Sequence, residues 1–276
     1  MIIIIIIFYL IFFLFFYKTC KIKYLSYNEF LNITNSSEYF YKMNNYDLQV
    51  RKSNNNKEYL NKYQLGYQNF TIAQKNLLLY FINIIEKKII KFKYFKNIPW
   101  IFVKIDDSLE NSYPHTIENV IVLSNDFFNK SLKYQITTII HEKVHIYQRI
   151  YPKYIEILYN NWGFNKIDFN IHNCRNNPDI KNYYSYNTNY LIIQLYYDNP
   201  QQLNHSNTFI IDLNNNNKLL LNNDLIKQFD LPDLETNNLE HPNELMADII
   251  SLYLTNSYNI NDRWIKILNK WMLNYF

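Results

Sequence analysis

Apolar residues fall along this chain in a few distinct rhythms. The first is unbroken: residues 1–17, MIIIIIIFYLIFFLFFY, contain no charge. A membrane-spanning helix needs roughly 17–25 apolar residues, so residues 1–23 are expected to form an N-terminal anchor in contact with a membrane through residues 1–17. Lys18, Lys21 and Lys23 follow the block, and the positive-inside rule would keep what comes after on the cytoplasmic side. A secretory signal carries a basic leading region and a small-residue cleavage site. The first is missing here, and secretion after cleavage stands as the alternative. Residues 24–70 show weak periodicity and read as a polar lead-in that could be flexible. From Thr71 to Tyr94, TIAQKNLLLYFINIIEKKIIKFKY spaces its apolar residues for a helix with a wide buried face. PWIFVKI (99–105) and NVIVL (119–123) are β-branched runs bounded by turn residues, and read as strands. Ser131 is placed to cap a helix that runs on until Pro152 stops it. Residues 160–240 are rich in Asn and turn signals and hold no sustained rhythm. Two helices close the chain. The first starts near Pro242; the second sets Trp264, Leu268, Trp271 and Met272 on one side.

Composition adds bounds more than identity. A chain of 276 residues, 48% hydrophobic, suits one domain with appendages. The net charge is +4, with the lysines scattered. KKIIKFKYFK (87–96) alternates Lys with aromatics as a nucleic-acid surface does, but it reads better as one amphipathic helix and its end, and no nucleic-acid partner is expected. Cys20 and Cys174 are too few for a disulfide framework.

The chemistry concentrates in TTIIHEKVHIYQRIYP, residues 137–152. On a helix, positions four apart differ by about 40° of arc and about 6 Å of rise, so His141 and His145 can reach one ion. Glu142 is turned about 100° from His141, beside the ion and not on it. This is the HExxH pattern of zinc peptidases. A catalytic zinc takes three protein ligands and leaves a fourth position open. The metzincin continuation requires glycine and histidine at positions 148 and 151, which here are Gln148 and Tyr151. Glu156 lies too close, just past Pro152. The best third ligand is in EHPNELMADIISLYL: Glu244, in the first turn after Pro242, with Asp248 four residues on. Zinc-bound histidines usually pass their other ring N–H to a carboxylate, and Asp248 is placed to serve His141.

His141, Glu142 and His145, followed by Asn243, Glu244, Ala247 and Asp248, resemble the gluzincin metallopeptidases, the thermolysin-like group. The resemblance implies that His141, His145 and Glu244 bind Zn2+, that Glu142 is the general base and that Asp248 orients His141. It also implies a zincin-like α+β domain over 71–276: a small mixed sheet whose edge strand packs on the HExxH helix, then a mostly helical C-terminal part. Glu244 stands 99 positions after His145, more than in compact members, so 160–240 is expected to be an Asn-rich elaboration. The substrate would be a peptide or protein lying antiparallel along the sheet edge before the HExxH helix. HTIENVIVLSNDFF (115–128) occupies that place, which makes Val120 and Val122 substrate-side candidates; strand addition binds main chain with modest sequence preference. His115 precedes that strand, and Arg175 opens a compact RNNPD turn (175–179) with a guanidinium able to clamp a carboxylate. A loop histidine without a role and a salt-bridged turn are the plain alternatives for these two. His241 is a candidate proton donor or a surface histidine before a helix. The expected function is a membrane-anchored zinc metallopeptidase; the alternative is a membrane-anchored zincin-fold binding or structural protein without catalysis.

Overall fold

A computed structural model describes residues 22–257 and 263–276. The expected anchor lies outside these apart from Ile22 and Lys23. Among the described residues no helix is long and apolar enough to cross a membrane.

The architecture is mixed α and β. One sheet contains β1 (Ile22–Tyr24), β2 (Tyr67–Gln68), β3 (Trp100–Ile105), β4 (His115–Ile117) and β5 (Val120–Leu123). Its order is β1-β3-β5-β4, with β2 pairing β3. β1, β3 and β5 run parallel, while β4 turns back antiparallel to β5 and forms an edge. Side chains alternate across a strand, and here alternation divides two cores. Phe102, Ile121 and Leu123 join the main core; Val103, Ile105, Ile117, Val120 and Val122 point the other way.

That second face is covered by residues 24–70, which are folded and not a loose lead-in. They form α1 (Tyr27–Ser36), a short 3-10 turn (Glu38–Tyr41), α2 (Asn45–Val50) and α3 (Asn56–Leu65). Each helix starts at a polar cap. Ser26 and Asn44 make capping boxes with Glu29 and Asp47, and Asn55 accepts from the Glu58 N–H. Their buried residues include Phe30, Phe40, Tyr59 and Tyr63. Six to ten residues per helix leave too few turns for a periodic signal, and much of the buried face is tyrosine.

On the main-core side lie α4 (Ile72–Ile89), the four-residue α5 (Asn125–Phe128) and α6 (Leu132–Ile150), the HExxH helix. Ser131 caps α6 through the Tyr134 N–H, and Pro152 begins α7 (Pro152–Asn161). Ile139, Ile140, Val144 and Tyr147 of α6 are fully buried.

The stretch 160–240 holds a second, antiparallel sheet in the order β10-β9-β8-β7-β6. Its strands are β6 (Phe164–Ile167), β7 (Tyr183–Tyr186), β8 (Tyr190–Tyr196), β9 (Ser206–Asp212) and β10 (Lys218–Leu220). Gly163 turns the chain from α7 into β6 at φ +89°, and a Cβ there would meet Asn187 Oδ1 at 2.8 Å. After the sheet come α8 (Asn223–Gln228), α9 (Pro242–Leu254) and α10 (Arg263–Tyr275). Trp264, Leu268, Trp271 and Met272 of α10 are buried as their spacing predicts. α9 packs along α6, and that pairing builds the site.

Candidate metal centre

α6 supplies His141, Glu142 and His145; α9 supplies Glu244 and Asp248. His145 Nε2 lies 2.9 Å from His141 Nε2, and Glu244 Oε2 lies 3.2 Å from His141 Nε2 and 3.5 Å from His145 Nε2. These three atoms form a triangle. A tetrahedral zinc with bonds of 2.0–2.2 Å separates its ligand atoms by roughly 3.3–3.6 Å, so a triangle with edges of 2.9, 3.2 and 3.5 Å is close to the size that one ion above its centre needs. The donor set, two imidazoles and a carboxylate, is also a zinc set.

The outer partners fix the tautomers. His141 Nδ1 donates to Asp248 Oδ1 at 2.7 Å, and His145 Nδ1 donates to Gln148 Oε1 at 2.9 Å. Gln148 cannot be flipped without loss, because its Nε2 donates to the Asn243 carbonyl at 2.8 Å and to Tyr159 Oη at 3.2 Å. Both Nε2 lone pairs are thereby left facing the same point. Glu244 is held from its other side: Oε1 accepts from Asn177 Nδ2 at 2.9 Å.

Without a cation this arrangement attracts protons. Burial opposes charging the rings, but Asp248 outweighs it at His141, and Asp179 with Glu244 outweighs it at His145. Both are held above the usual histidine range, His145 at about 9. Burial would raise Glu244, yet the two rings hold it well below the carboxylate range. Glu142 is different. Only 4% exposed, it stands outside the triangle, and its Oε2 has no hydrogen-bond partner among the described residues. Burial pushes its carboxyl up to about 7.

A loop the sequence marks only as a turn closes the site. Arg149, near the end of α6, donates to the carbonyls of Glu118 at 2.8 Å and Pro178 at 2.9 Å, and pairs with Asp179 Oδ1 at 2.5 Å. Thr116, the β4 residue that faces α6, bonds both Arg149 and Asp179. Potential ligand atoms of Asp179, Glu142 and His145 all lie within 4.8 Å of one another. The Asp179 carbonyl accepts from Asn243 Nδ2 at 2.6 Å, and the Asn176 N–H reaches Asp47 of α2 at 3.0 Å.

The structure thus brings together His141, Glu142, His145, Glu244 and Asp248. The substrate-side candidates lie elsewhere. Val120 and Val122 are buried beneath the N-terminal helices, because β5 is an interior strand and their parity points them away from α6. His115, in register with Val122, points the same way and bonds Tyr63 Oη at 2.7 Å and the Tyr113 carbonyl at 2.9 Å. Arg175 is directed at Gln194 in β8. His241 caps α9: its Nδ1 accepts the Asn243 N–H at 3.0 Å and its Nε2 donates to the Asn182 carbonyl at 2.7 Å. Burial lowers it to about 4, a neutral ring suited to capping. Gln148, Arg149, Thr116, Asn177 and Asp179 are residues around the site to which sequence reasoning gave no role there. Parity along β4 would have found Thr116, and helical spacing puts Arg149 one turn after His145. No local signal marks Asn177 or Asp179. No family model, curated protein or solved structure matches the chain.

Proposed function

We propose that the chain is a zinc-dependent metallopeptidase with a gluzincin-type centre in a zincin-like domain, tethered to a membrane by residues 1–17. One observation carries the reading: His141, His145 and Glu244 converge on a zinc-sized triangle while Glu142, on the same helix, is kept off it with one buried oxygen unpartnered. Zinc held by these three residues would supply Lewis acidity toward a peptide carbonyl and toward water. Glu142 takes a proton from water and returns it to the departing amine; with a proton affinity near neutrality it suits both transfers. Asp248 and Gln148 keep the two rings aimed during this cycle. The rival reading, a zincin-fold binding or structural protein without catalysis, draws on the close burial of the site, with His145 only 1% exposed.

Glu142→Gln separates the two. It keeps size and removes the base, so the full-length protein in detergent should hold one zinc per chain by mass spectrometry with or without the substitution. Peptide hydrolysis should fall by ~10²–10⁴. Wild type that carries zinc but cleaves a broad peptide library no better than the variant would leave the scaffold reading. A variant that loses its zinc would make Glu142 a ligand and overturn the assigned roles.

A further inference from the structure

We infer that Asn177 is a positioning residue of the metal centre: its amide occupies Glu244 Oε1, so that Glu244 offers the metal a single oxygen. The inference rests on the metal reading above and adds a function for the RNNPD turn.

Three bonds define the Asn177 side chain. Its Oδ1 accepts the Asp179 N–H at 2.8 Å, and its Nδ2 donates to Glu244 Oε1 at 2.9 Å and to Glu240 Oε1 at 3.2 Å. The first bond fixes which end of the amide faces the acids. A flipped amide would set its oxygen against two carboxylates and abandon the turn. The two hydrogens on Nδ2 then serve one acid each. The turn cannot follow Glu244 if that side chain moves, because Asp179 is tied to Arg149 and Thr116, and Asn176 to Asp47. Asn177 is therefore a held donor on the far side of the third ligand, its turn tied to α6, β4 and α2 as well as to Asn243 at the start of α9.

The consequence concerns coordination number. A carboxylate with both oxygens free can close on a metal through one or both. A second oxygen would fill the position that a catalytic zinc keeps open. With Oε1 engaged by Asn177, only Oε2 completes the triangle. Removing the donor also leaves Glu240, which is 6% exposed, facing Glu244 with no hydrogen between two acids that had shared one amide.

The test uses full-length wild type, Asn177→Asp and Asn177→Ala, each loaded with Co2+ and, separately, titrated with zinc against a chromophoric chelator. Asn177→Asp keeps the shape and the Oδ1 acceptor of the turn but has no hydrogens for the acids. Asn177→Ala loses both. Wild type should show the intense visible absorption of four-coordinate Co2+. Both variants should show the weaker spectrum of higher coordination, and Asn177→Ala should bind zinc ~10–100-fold more weakly. If Asn177→Asp matches wild type and only Asn177→Ala changes, the residue merely holds the turn and the inference is overturned. If both variants match wild type, it is overturned as well. If wild type binds neither metal, or binds as tightly after His141→Ala, the metal reading itself fails and takes the inference with it.

Discussion

Asp248→Asn probes the centre without touching a ligand. The substitution keeps the shape of the side chain and an oxygen for His141 Nδ1, now 2.7 Å from Asp248 Oδ1, but removes the charge that strengthens that bond. Asp248 is also the leading attraction raising the proton affinity of His141. Loss of such a partner weakens metal binding ~10–100-fold. The thermal consequence follows from linkage: a ligand at fixed excess stabilises by RT ln(1 + [L]/Kd), so each tenfold loss of affinity removes about 1.4 kcal/mol. For a domain of this size about 1 kcal/mol corresponds to roughly 2–4 °C. The zinc-induced rise in Tm should therefore shrink by about 3–6 °C for each tenfold loss in affinity. Differential scanning calorimetry at constant free zinc, paired with chelator competition, measures both quantities. Asp248 is about 14% exposed and also pairs with the His141 ring when no metal is bound, so the metal-free Tm should fall as well, and the diagnostic quantity is the further loss of the zinc increment. An unchanged zinc affinity would refute the orienting role, and an equal loss of Tm with and without zinc would reassign Asp248 to the helix interface.

Metal-free protein should lose stability as pH rises from about 6.5 to about 9. The His145 ring binds its proton more tightly folded than unfolded, so its contribution is complete below the unfolded value and is lost as pH passes the folded one. Glu142, raised from 4.5 to about 7, acts in the same direction but over the lower window between those values, because ionising it in place is disfavoured. Zinc replaces the protons on the rings, so thermal scans in saturating zinc should show a much flatter profile over this window; parallel slopes would contradict it. Arg149→Met strands Asp179, whose side chain is 5% exposed, and should cost about 3–5 kcal/mol in urea unfolding. The double variant Arg149→Met/Asp179→Asn should recover part of that cost, and simple additivity would show that the pair is not coupled.

The centre was legible where its chemistry is local. A four-residue spacing on one helix is a property of the backbone, and α6 announces itself by Ser131, eighteen residues without Gly or Pro, and the Pro152 stop. Glu244 and Asp248 could be found because a carboxylate pair at helical spacing is what two histidines four apart on a helix lack as a candidate metal site. Asn177, Asp179 and Arg149 could not, since their meaning lies in contacts between segments 29 to 67 positions apart. The second sheet was hidden by its own burial. One face of β8 joins the main core through Ile192, and the other packs Leu191, Ile193 and Leu195 against the chain between Ile167 and Cys174. A strand covered on both sides shows no alternation. Turns were masked too. With 2 glycines in the chain, five of the eleven non-glycine left-handed positions among the described residues fall to Asn, at Asn111, Asn187, Asn199, Asn216 and Asn256. Asn tolerates that conformation, but in an Asn-rich sequence its presence marks nothing.

The separation of α6 and α9 along the chain bears on what a bound ion would do for the fold. Bringing Glu244 beside His145 closes a loop of 99 positions, which costs about 4 kcal/mol of chain entropy before any constant term. The antiparallel hairpins of the intervening sheet, the packing of α9 on α6 and the Arg149–Asp179 clasp bring about that closure through protein contacts alone. An ion bound there would meet a finished socket. The metal-free chain should therefore persist as a folded protein, unlike small zinc domains that collapse into shape only around their ion. Removing the metal would silence such a protein and leave its architecture standing.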